Sequence, residues 1–457
     1  MFQRLLVANR GEVAVRIARA CRKLGIAPIG VASEADLGAS WTRVFEEVVC
    51  IGPASAAQSY LRADRLVQAA LQTRASALHP GWGFLAENAR FAALCKEHGI
   101  TFVGPRPAVM ELMGAKTPAK RAMRAAGLDV IPGSDGPLES VEAAAECAAR
   151  VGYPVLLKAD SGGGGRGMRR CAGEDELREA FRAASAEAQA AFGDGALYVE
   201  RYLTGGRHVE VQVLCDAFGN GVHLGERECS VQRKHQKLVE ESPSPALEPS
   251  ERAALGEDAL RAALEVGYTS AGTVEFLRST DGRVYFMEMN TRLQVEHPVS
   301  EMVSGVDIAA EQIRIAARER LALEQRSVRL SGHAIECRLN AEDPARGFQP
   351  SPGTLRAFEL PRELGPGTLR VDTHLAPGDT VPPHYDSLLA KVIAHAPTRE
   401  LAIETLLRSL RAARIEGVAT TLPLHLAVLS STEFRTGDYC TSAIPGWPPA
   451  RAAASKT

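Results

Sequence analysis

The stretch "YFMEMNTRLQVEHPVSEM" (residues 285–302) places Glu288, Asn290, Arg292, Gln294 and Glu296 at alternate positions, with Met287, Met289, Leu293 and Val295 among the residues between them. At the period of two that governs a strand, one face becomes a row of carboxylates, amides and a guanidinium, and the other is apolar. A merely solvated edge would more often carry Lys, Thr and Ser. A second strand-like segment, "GTVEFL" (272–277), sets Glu275 between Val274 and Phe276. Glu275, Glu288 and Asn290 together make a hard-oxygen set suited to Mg2+ that bridges nucleotide phosphates and keeps some of its waters.

The glycine run "SGGGGRGM" (161–168) fits the same chemistry. Each glycine costs about 0.5–1 kcal/mol of ordering relative to alanine, so a run is retained where backbone must come close to something. It stands between strand-like "YPVLLKAD" and "MRRCAG", with Lys158 near the end of the first. The GK[ST] that opens the helix of a P-loop is missing. A glycine-rich hairpin preceded by a strand lysine is the other known way to lay backbone N–H groups over phosphates. Nearby, "HVEVQVL" aligns His208, Glu210 and Gln212 on one face, and "GHAIECRLN" aligns Glu336, Arg338 and Asn340. Between them "ERECSVQRKHQKLVEE" (226–241) is dense in charge, and beside a metal set and a glycine hairpin it reads as a cationic anion site.

The elements that must position these residues follow an α/β rhythm. "RLLVAN" reads as a strand, "EVAVRIARACRKLGI" as an amphipathic helix closed by Gly25, and "APIGVAS" as the next strand, a βαβ opening without the GxGxxG of a dinucleotide site. Proline and glycine in "VIPGSDGPL" mark a boundary. A small segment follows that could bury only a modest core, as a mobile lid would, then a long strand-rich region and a polar tail, "GWPPARAAASKT", expected to be disordered. The 457 residues are 45% hydrophobic and 24% charged with net charge −2, values of an ordinary globular protein. That balance gives no electrostatic footprint for nucleic acid or an anionic membrane. With no secretory signal and no spanning segment, the expected location is cytoplasmic. Nine cysteines without CxxC pairing read as reduced core thiols.

These motifs, with "ANRGEVAVRI", "HPGWGFLAEN", "LMGAK", "RHVEVQVL", "GHAIECRLNAEDP" and "VPPHYDSLLAKV", resemble the biotin carboxylases of the ATP-grasp superfamily from about residue 2 to about 440. The resemblance implies a three-part α/β fold. An N-terminal βαβ domain would span 1–114, a helical linker 115–130, the glycine-rich lid 131–203, a larger mixed-sheet catalytic core 204–332 and a C-terminal domain 333–446, with the tail at 447–457.

It also implies site roles. Lys116 and Lys158 would contact the phosphates of ATP, and Gly164 and Gly165 would cover them. Glu200, Arg201 and Leu203 would lie beside the adenine, while His208, Gln232 and His235 would line the same site. Glu275, Glu288 and Asn290 would hold Mg2+, or Mn2+ in its place. Lys237, Arg292 and the backbone of Val295 would bind bicarbonate with Gln294 close by, and Glu296 would deprotonate it, kept ionised by Arg292. Arg338 would stabilise the biotin enolate, and Trp82 would stand at the biotin mouth.

No Met-Lys-Met biotinylation motif occurs in the sequence, so biotin is expected on a separate carboxyl carrier protein, with carboxyltransferase subunits using the product. Acetyl-CoA carboxylase of fatty acid biosynthesis is the first parent enzyme to consider. A paralogue for another acyl-CoA or a urea-type carboxylase, another ATP-grasp ligase and an inactive regulatory homologue are the alternatives. "RLQVEHP" with Arg338 speaks against another ligase, and retention of Glu288, Arg292 and Glu296 speaks against an inactive homologue. Trp82, Ala115 and Arg201 stand where the family commonly has Tyr, Asp and Lys, and Trp41 and Thr421 where it has His and Asn. Arg16 and Arg19 match family positions at a homodimer contact, although "PRELGPGTLR" (361–370) differs opposite them.

Overall fold

The computed structural model describes residues 1–138, 140–160 and 168–448, apart from the side chain of Phe192. The run 161–167, with Gly164 and Gly165, and the tail from 449 lie outside the described residues.

Strand β1 (Arg4–Val7), the helix Gly11–Lys23 and β2 (Ala27–Ala32) form the expected βαβ unit. With β3 (Glu47–Cys50), β4 (Ala77–His79) and β5 (Thr101–Phe102) they build a parallel sheet in the order β3-β2-β1-β4-β5. Its central strands are short buried apolar runs, as a parallel sheet covered on both faces requires. The helix buries Val13, Ala14, Ile17, Ala18 and Cys21, the 3.6-residue stripe, against Leu5, Val7 and the later residues Ile308 and Ile313. Glu12, in its first turn, is also buried.

A small unit follows, in which β6 (Val155–Ala159), β7 (Arg169–Cys171) and β8 (Leu197–Arg201) pair antiparallel in the order β7-β6-β8. The helices Val141–Val151 and Glu174–Phe192 cover it, the second ending at Gly193 in the left-handed region that favours glycine. Its core is rich in small side chains, with Ala144, Ala148, Ala184 and Ala188 beside Leu157 and Leu177.

The third part is one eight-stranded sheet. Its strands are β9 (Arg207–Cys215), β10 (Gly221–Arg233), β11 (Gln236–Ser242), β12 (Ser270–Arg278), β13 (Val284–Asn290), β14 (His333–Asn340), β15 (Thr368–Thr373) and β16 (Leu388–Ala396). They run in the order β13-β12-β9-β10-β11-β14-β16-β15. The division expected at 332/333 therefore falls inside a continuous sheet, where β11 pairs with β14. Val209, Val211, Val213, Val274 and Phe276 pack one face onto the helix Pro249–Glu265, which leaves their alternate neighbours for the other face. Among the described residues no helix is long and apolar enough to cross a membrane. All nine cysteines are free, seven of them buried, with Cys50 exposed and Cys440 half-buried.

One reading of the sequence needs correction. The alternation over 285–302 is a strand only as far as Asn290; residues 291–296 turn away and a helix, His297–Ser304, begins with Pro298 in its first turn. Proline lacks the N–H a strand ladder needs and is pre-set for a first helical turn, so the strand cannot continue through it. Arg292, Gln294 and Glu296 reach the site by a bend.

Where the helix Arg399–Ala412 meets the sheet, the buried Glu241 carboxylate accepts from Arg399 at 2.6 and 2.9 Å and from the Tyr439 hydroxyl, and lies 2.6 Å from His333 Nε2. Burial pushes this carboxyl up, but His333 and Arg399 outweigh it and bring it down to about 2. A depressed pKa adds stability above the ordinary value near 4.5 that is lost as the pH falls toward 2. Glu241→Gln is thus expected to lower stability at pH 7 by roughly 3 kcal/mol and to flatten the acid limb over that window. Urea midpoints of both proteins against pH would check it.

Candidate active site

Every site residue anticipated from the sequence that lies among the described residues lines one cavity of about 940 Å³ between the small unit and the polar face of the large sheet. Gly164 and Gly165 fall outside the description.

The centre of the cavity is a packed set of opposite charges. Lys237, on β11, reaches Glu210 at 2.5 Å, Glu275 at 3.0 Å and Glu296 at 2.6 Å. The fully buried Arg227 holds Glu210 at 2.5 Å and also donates to Gln212, Thr273 and Ser300. Arg338 lies 2.9 Å from Glu296 and also pairs with Glu240. Burial raises the Glu296 carboxyl, but Lys237, Arg338 and Arg227 together hold it well below the usual carboxylate range. Glu240, by contrast, is pushed by burial to about 7 despite Arg338. Glu296 is therefore an ionised, water-poor carboxylate beside two cations.

Arg292, expected to keep Glu296 ionised, adds only a longer-range attraction to it, and Lys237, Arg338 and Arg227 exert the larger pull. The Arg292 guanidinium pairs with Glu87 at 2.9 Å and donates to Asn290 Oδ1 at 2.8 Å and Gln294 Oε1 at 2.9 Å. The bend at 291–296 turns it toward the N-terminal part, where Glu87 also accepts from the Thr291 N–H at 3.0 Å.

On the side of the small unit, Lys116 and Lys120 lie one turn apart on the helix Lys116–Ala125, and Lys158 projects from β6. Lys120 and Lys158 clamp the carboxylate of Glu200, whose neighbour Arg201 is exposed. Burial would raise Glu200, yet the two lysines bring it to about 2. Burial lowers Lys116. Gln232 and His235 belong to the β10–β11 hairpin, where Lys234 and His235 carry φ of 47° and 65°.

Glu275 stands directly across from Glu288 in the β12–β13 register, and Asn290 Nδ2 donates to Glu275 at 2.8 Å. A buried and a half-buried carboxylate face each other here, and burial followed by Glu275 raises Glu288. A divalent cation between them would remove that repulsion, and the donors are the hard oxygens Mg2+ prefers. His208, Glu210 and Glu275 also present atoms close enough for an ion, as do Glu210, Cys229 and Glu296. In both sets Lys237 holds every carboxylate, whereas in the Glu275–Glu288 pair it holds Glu275 but not Glu288.

The departures have structural places. Trp82 lines the large cavity and a neighbouring one of about 210 Å³. Asp160 accepts from the Thr117 N–H at 3.0 Å, serving the helix that Ala115 precedes without a side-chain cap. Trp41 is buried edge-on to Phe45. Thr421 Oγ1 donates to the Arg338 carbonyl at 3.1 Å and so braces that strand. Reading the sequence missed Lys120, Arg227, Glu87 and Glu240 as partners. Lys120 follows Lys116 by one helical turn, a spacing that marks it; Arg227 and Glu87 sit inside motifs already singled out, but their partners are distant in the chain.

Comparison with known proteins gives the family. Residues 1–110 match the family described as biotin carboxylase, N-terminal domain, residues 115–324 the carbamoyl-phosphate synthase L chain ATP binding domain, and residues 336–445 the biotin carboxylase C-terminal domain. The chain is 49% identical over 441 residues to a biotin carboxylase of Nostoc sp., covering 96% of this chain and 98% of that one. It superposes with TM-score 0.93 and 49% identity on the biotin carboxylase domain dimer of Hydrogenobacter thermophilus 2-oxoglutarate carboxylase, solved with MgADP, ADP and bicarbonate, covering 96% of each chain. A Campylobacter jejuni biotin carboxylase bound to an ATP analogue gives TM-score 0.94 at 45% identity, covering 96% of this chain and 98% of that one. Full-length identity of this order, an α/β fold superposing throughout and an ATP-grasp cavity with its charges assembled lead to one conclusion: the chain belongs to the biotin carboxylase family of ATP-dependent carboxylating enzymes.

Proposed function

We propose that this enzyme carboxylates biotin borne on a separate carrier protein, and that the observation carrying the residue roles is the ionised Glu296 held between Lys237 and Arg338 in the cavity that Lys116 and Lys158 also line. In this reading Glu296 takes the bicarbonate proton, Lys237, Arg292 and the Val295 backbone hold the anion with Gln294 alongside, and the bicarbonate oxygen attacks the γ-phosphorus of ATP. ADP leaves and carboxyphosphate forms. Lys116 and Lys158 counter the phosphate charge. For the lysines and Glu200 to serve ATP, the anionic phosphates would draw Lys158 from Glu200 and free that carboxylate toward the adenine side. Glu275, Glu288 and Asn290 would hold Mg2+, which supplies charge neutralisation at the phosphates when bound.

Closure over the cavity would keep water from carboxyphosphate. That anhydride breaks to CO2 and phosphate, the phosphate takes the biotin N1′ proton, and the enolate, stabilised by Arg338, attacks CO2. Trp82 offers an apolar wall where biotin would enter.

We assign the chain to a cytoplasmic acetyl-CoA carboxylase, acting as a homodimer with a carrier and carboxyltransferase subunits. The exposed Arg19 supports an outward contact, whereas Arg16 is buried on Glu301 and Asp307 within the chain. A second reading, a subunit of another carboxylase, is favoured by the 49% identity to the 2-oxoglutarate carboxylase domain. The acyl acceptor takes no part in this half-reaction, so the cavity serves either parent enzyme. The first test is ATP cleavage by the purified chain with bicarbonate, with free biotin varied. Stimulation by both is expected, and ATP cleavage indifferent to bicarbonate would defeat the reading.

A further inference from the structure

Lys391 lies on β16, fully buried, opposite Arg338 in the strand register, so the two side chains rise from the same face of the sheet. They reach adjacent residues of the 291–296 bend. Arg338 takes the Glu296 carboxylate at 2.9 Å, and the Lys391 ammonium donates to the Val295 carbonyl oxygen at 2.9 Å. The charge of Lys391 is balanced from two other elements, by Glu12 of the first helix at 3.0 Å and by Asp372, opposite it on β15, at 4.0 Å. Asp372 is itself held by Arg370, which continues to Glu301.

An ion pair that only joined the N-terminal helix to the sheet would need no further partner. Here a hydrogen bond of the ammonium is spent on one peptide of the active-site bend, the peptide between Val295 and Glu296. That segment has left the strand ladder at Asn290, so its orientation depends on such tertiary contacts. Fixing the carbonyl fixes the peptide plane and, through it, the Cα from which the Glu296 side chain departs.

We propose that Lys391 is a positioning residue for bicarbonate activation, its ammonium holding the Val295–Glu296 peptide so that the anion and the base meet in register, with Glu12 and Asp372 keeping the ammonium in place. The proposal rests on the reading that bicarbonate is bound at Val295 and deprotonated by Glu296. It assigns Lys391 no contact with substrate.

Removing one member of a buried pair leaves an orphan charge and can unfold the chain, whereas replacing both with apolar side chains of similar size is often tolerated. The test therefore uses Glu12→Leu/Lys391→Met, compared with the parent chain. The readouts are the thermal midpoint, the dissociation constant for ADP, the KM for ATP, and kcat/KM for bicarbonate in ATP cleavage. The expected result is a folded double variant with ADP affinity and KM for ATP within about 2-fold of the parent and kcat/KM for bicarbonate lowered about 100-fold, the scale of a displacement near 1 Å. An unchanged bicarbonate parameter, an equal loss of ATP affinity or a chain that no longer folds would each overturn it in favour of a structural ion pair. The parent separates this failure from failure of the functional reading. A parent that cleaves ATP without regard to bicarbonate sinks that reading and the proposal with it, while an active parent beside an unaffected variant sinks the proposal alone.

Discussion

Glu296→Gln is expected to lower bicarbonate-dependent ATP cleavage about 1,000-fold, within the range a general base contributes, while leaving nucleotide affinity near its original value. The substitution keeps shape and volume and removes the carboxylate that Lys237 and Arg338 surround. The fold should tolerate it because Lys237 retains Glu210 and Glu275, and Arg338 retains Glu240. Loss of the Glu296 charge also removes one of the influences that raise Glu240, so Glu240 ionises more readily and replaces part of the missing negative charge. In the parent, the cations hold Glu296 ionised far into the acid range. Protonation of this base therefore cannot set the acid limb of activity near neutrality. The measurement is the initial rate of ADP release against bicarbonate concentration, with ADP binding followed separately. A variant that keeps most of the bicarbonate-dependent rate would remove Glu296 from the role of base.

Arg338→Gln should divide the two stages of the reaction. Carboxylation of biotin is expected to fall about 1,000-fold, the scale of losing a charged donor to a developing oxyanion, and bicarbonate-dependent ATP cleavage only about 10-fold. The smaller loss follows from the geometry. Arg338 is one of the cations that keep Glu296 ionised, but Lys237 at 2.6 Å exerts the larger pull and remains in the variant. The backbone is also held independently of the guanidinium, because Thr421 Oγ1 and His425 Nε2 both engage the Arg338 carbonyl, at 3.1 and 2.6 Å. Product analysis for carboxybiotin alongside ADP release gives both rates from one experiment. Equal losses would mean that Arg338 serves bicarbonate activation alone.

Much of the site was legible in the chain because its strands alternate. Glu275 and Glu288 each follow an apolar neighbour, so the period of two set each on the polar face of its own strand, and the cross-strand pairing brings the two together. The βαβ opening and the lid elements were legible for the same reason: 3.6-residue and two-residue periods differ visibly over ten residues. The bend after Asn290 was not, because alternate spacing continues through 296 and only Pro298 signals that the strand has ended. The continuity of the large sheet across 332/333 was hidden too, since the pairing of β11 with β14 joins segments separated by some ninety residues with no local mark.

The sequence by itself therefore determined the inventory: which carboxylates, lysines and arginines are present, which share a strand face, and the glycine run that resembles a phosphate-covering hairpin. Only the tertiary structure decided which charge answers which. It gives Glu296 to Lys237 and Arg338, 59 and 42 positions away, gives Arg292 to Glu87, 205 positions away, and sets Lys391 against Val295, 96 positions away. The reason is physical. An ionisation state in a buried site depends on desolvation and on charges within a few ångströms, and both are properties of packing in space that no spacing along the chain encodes.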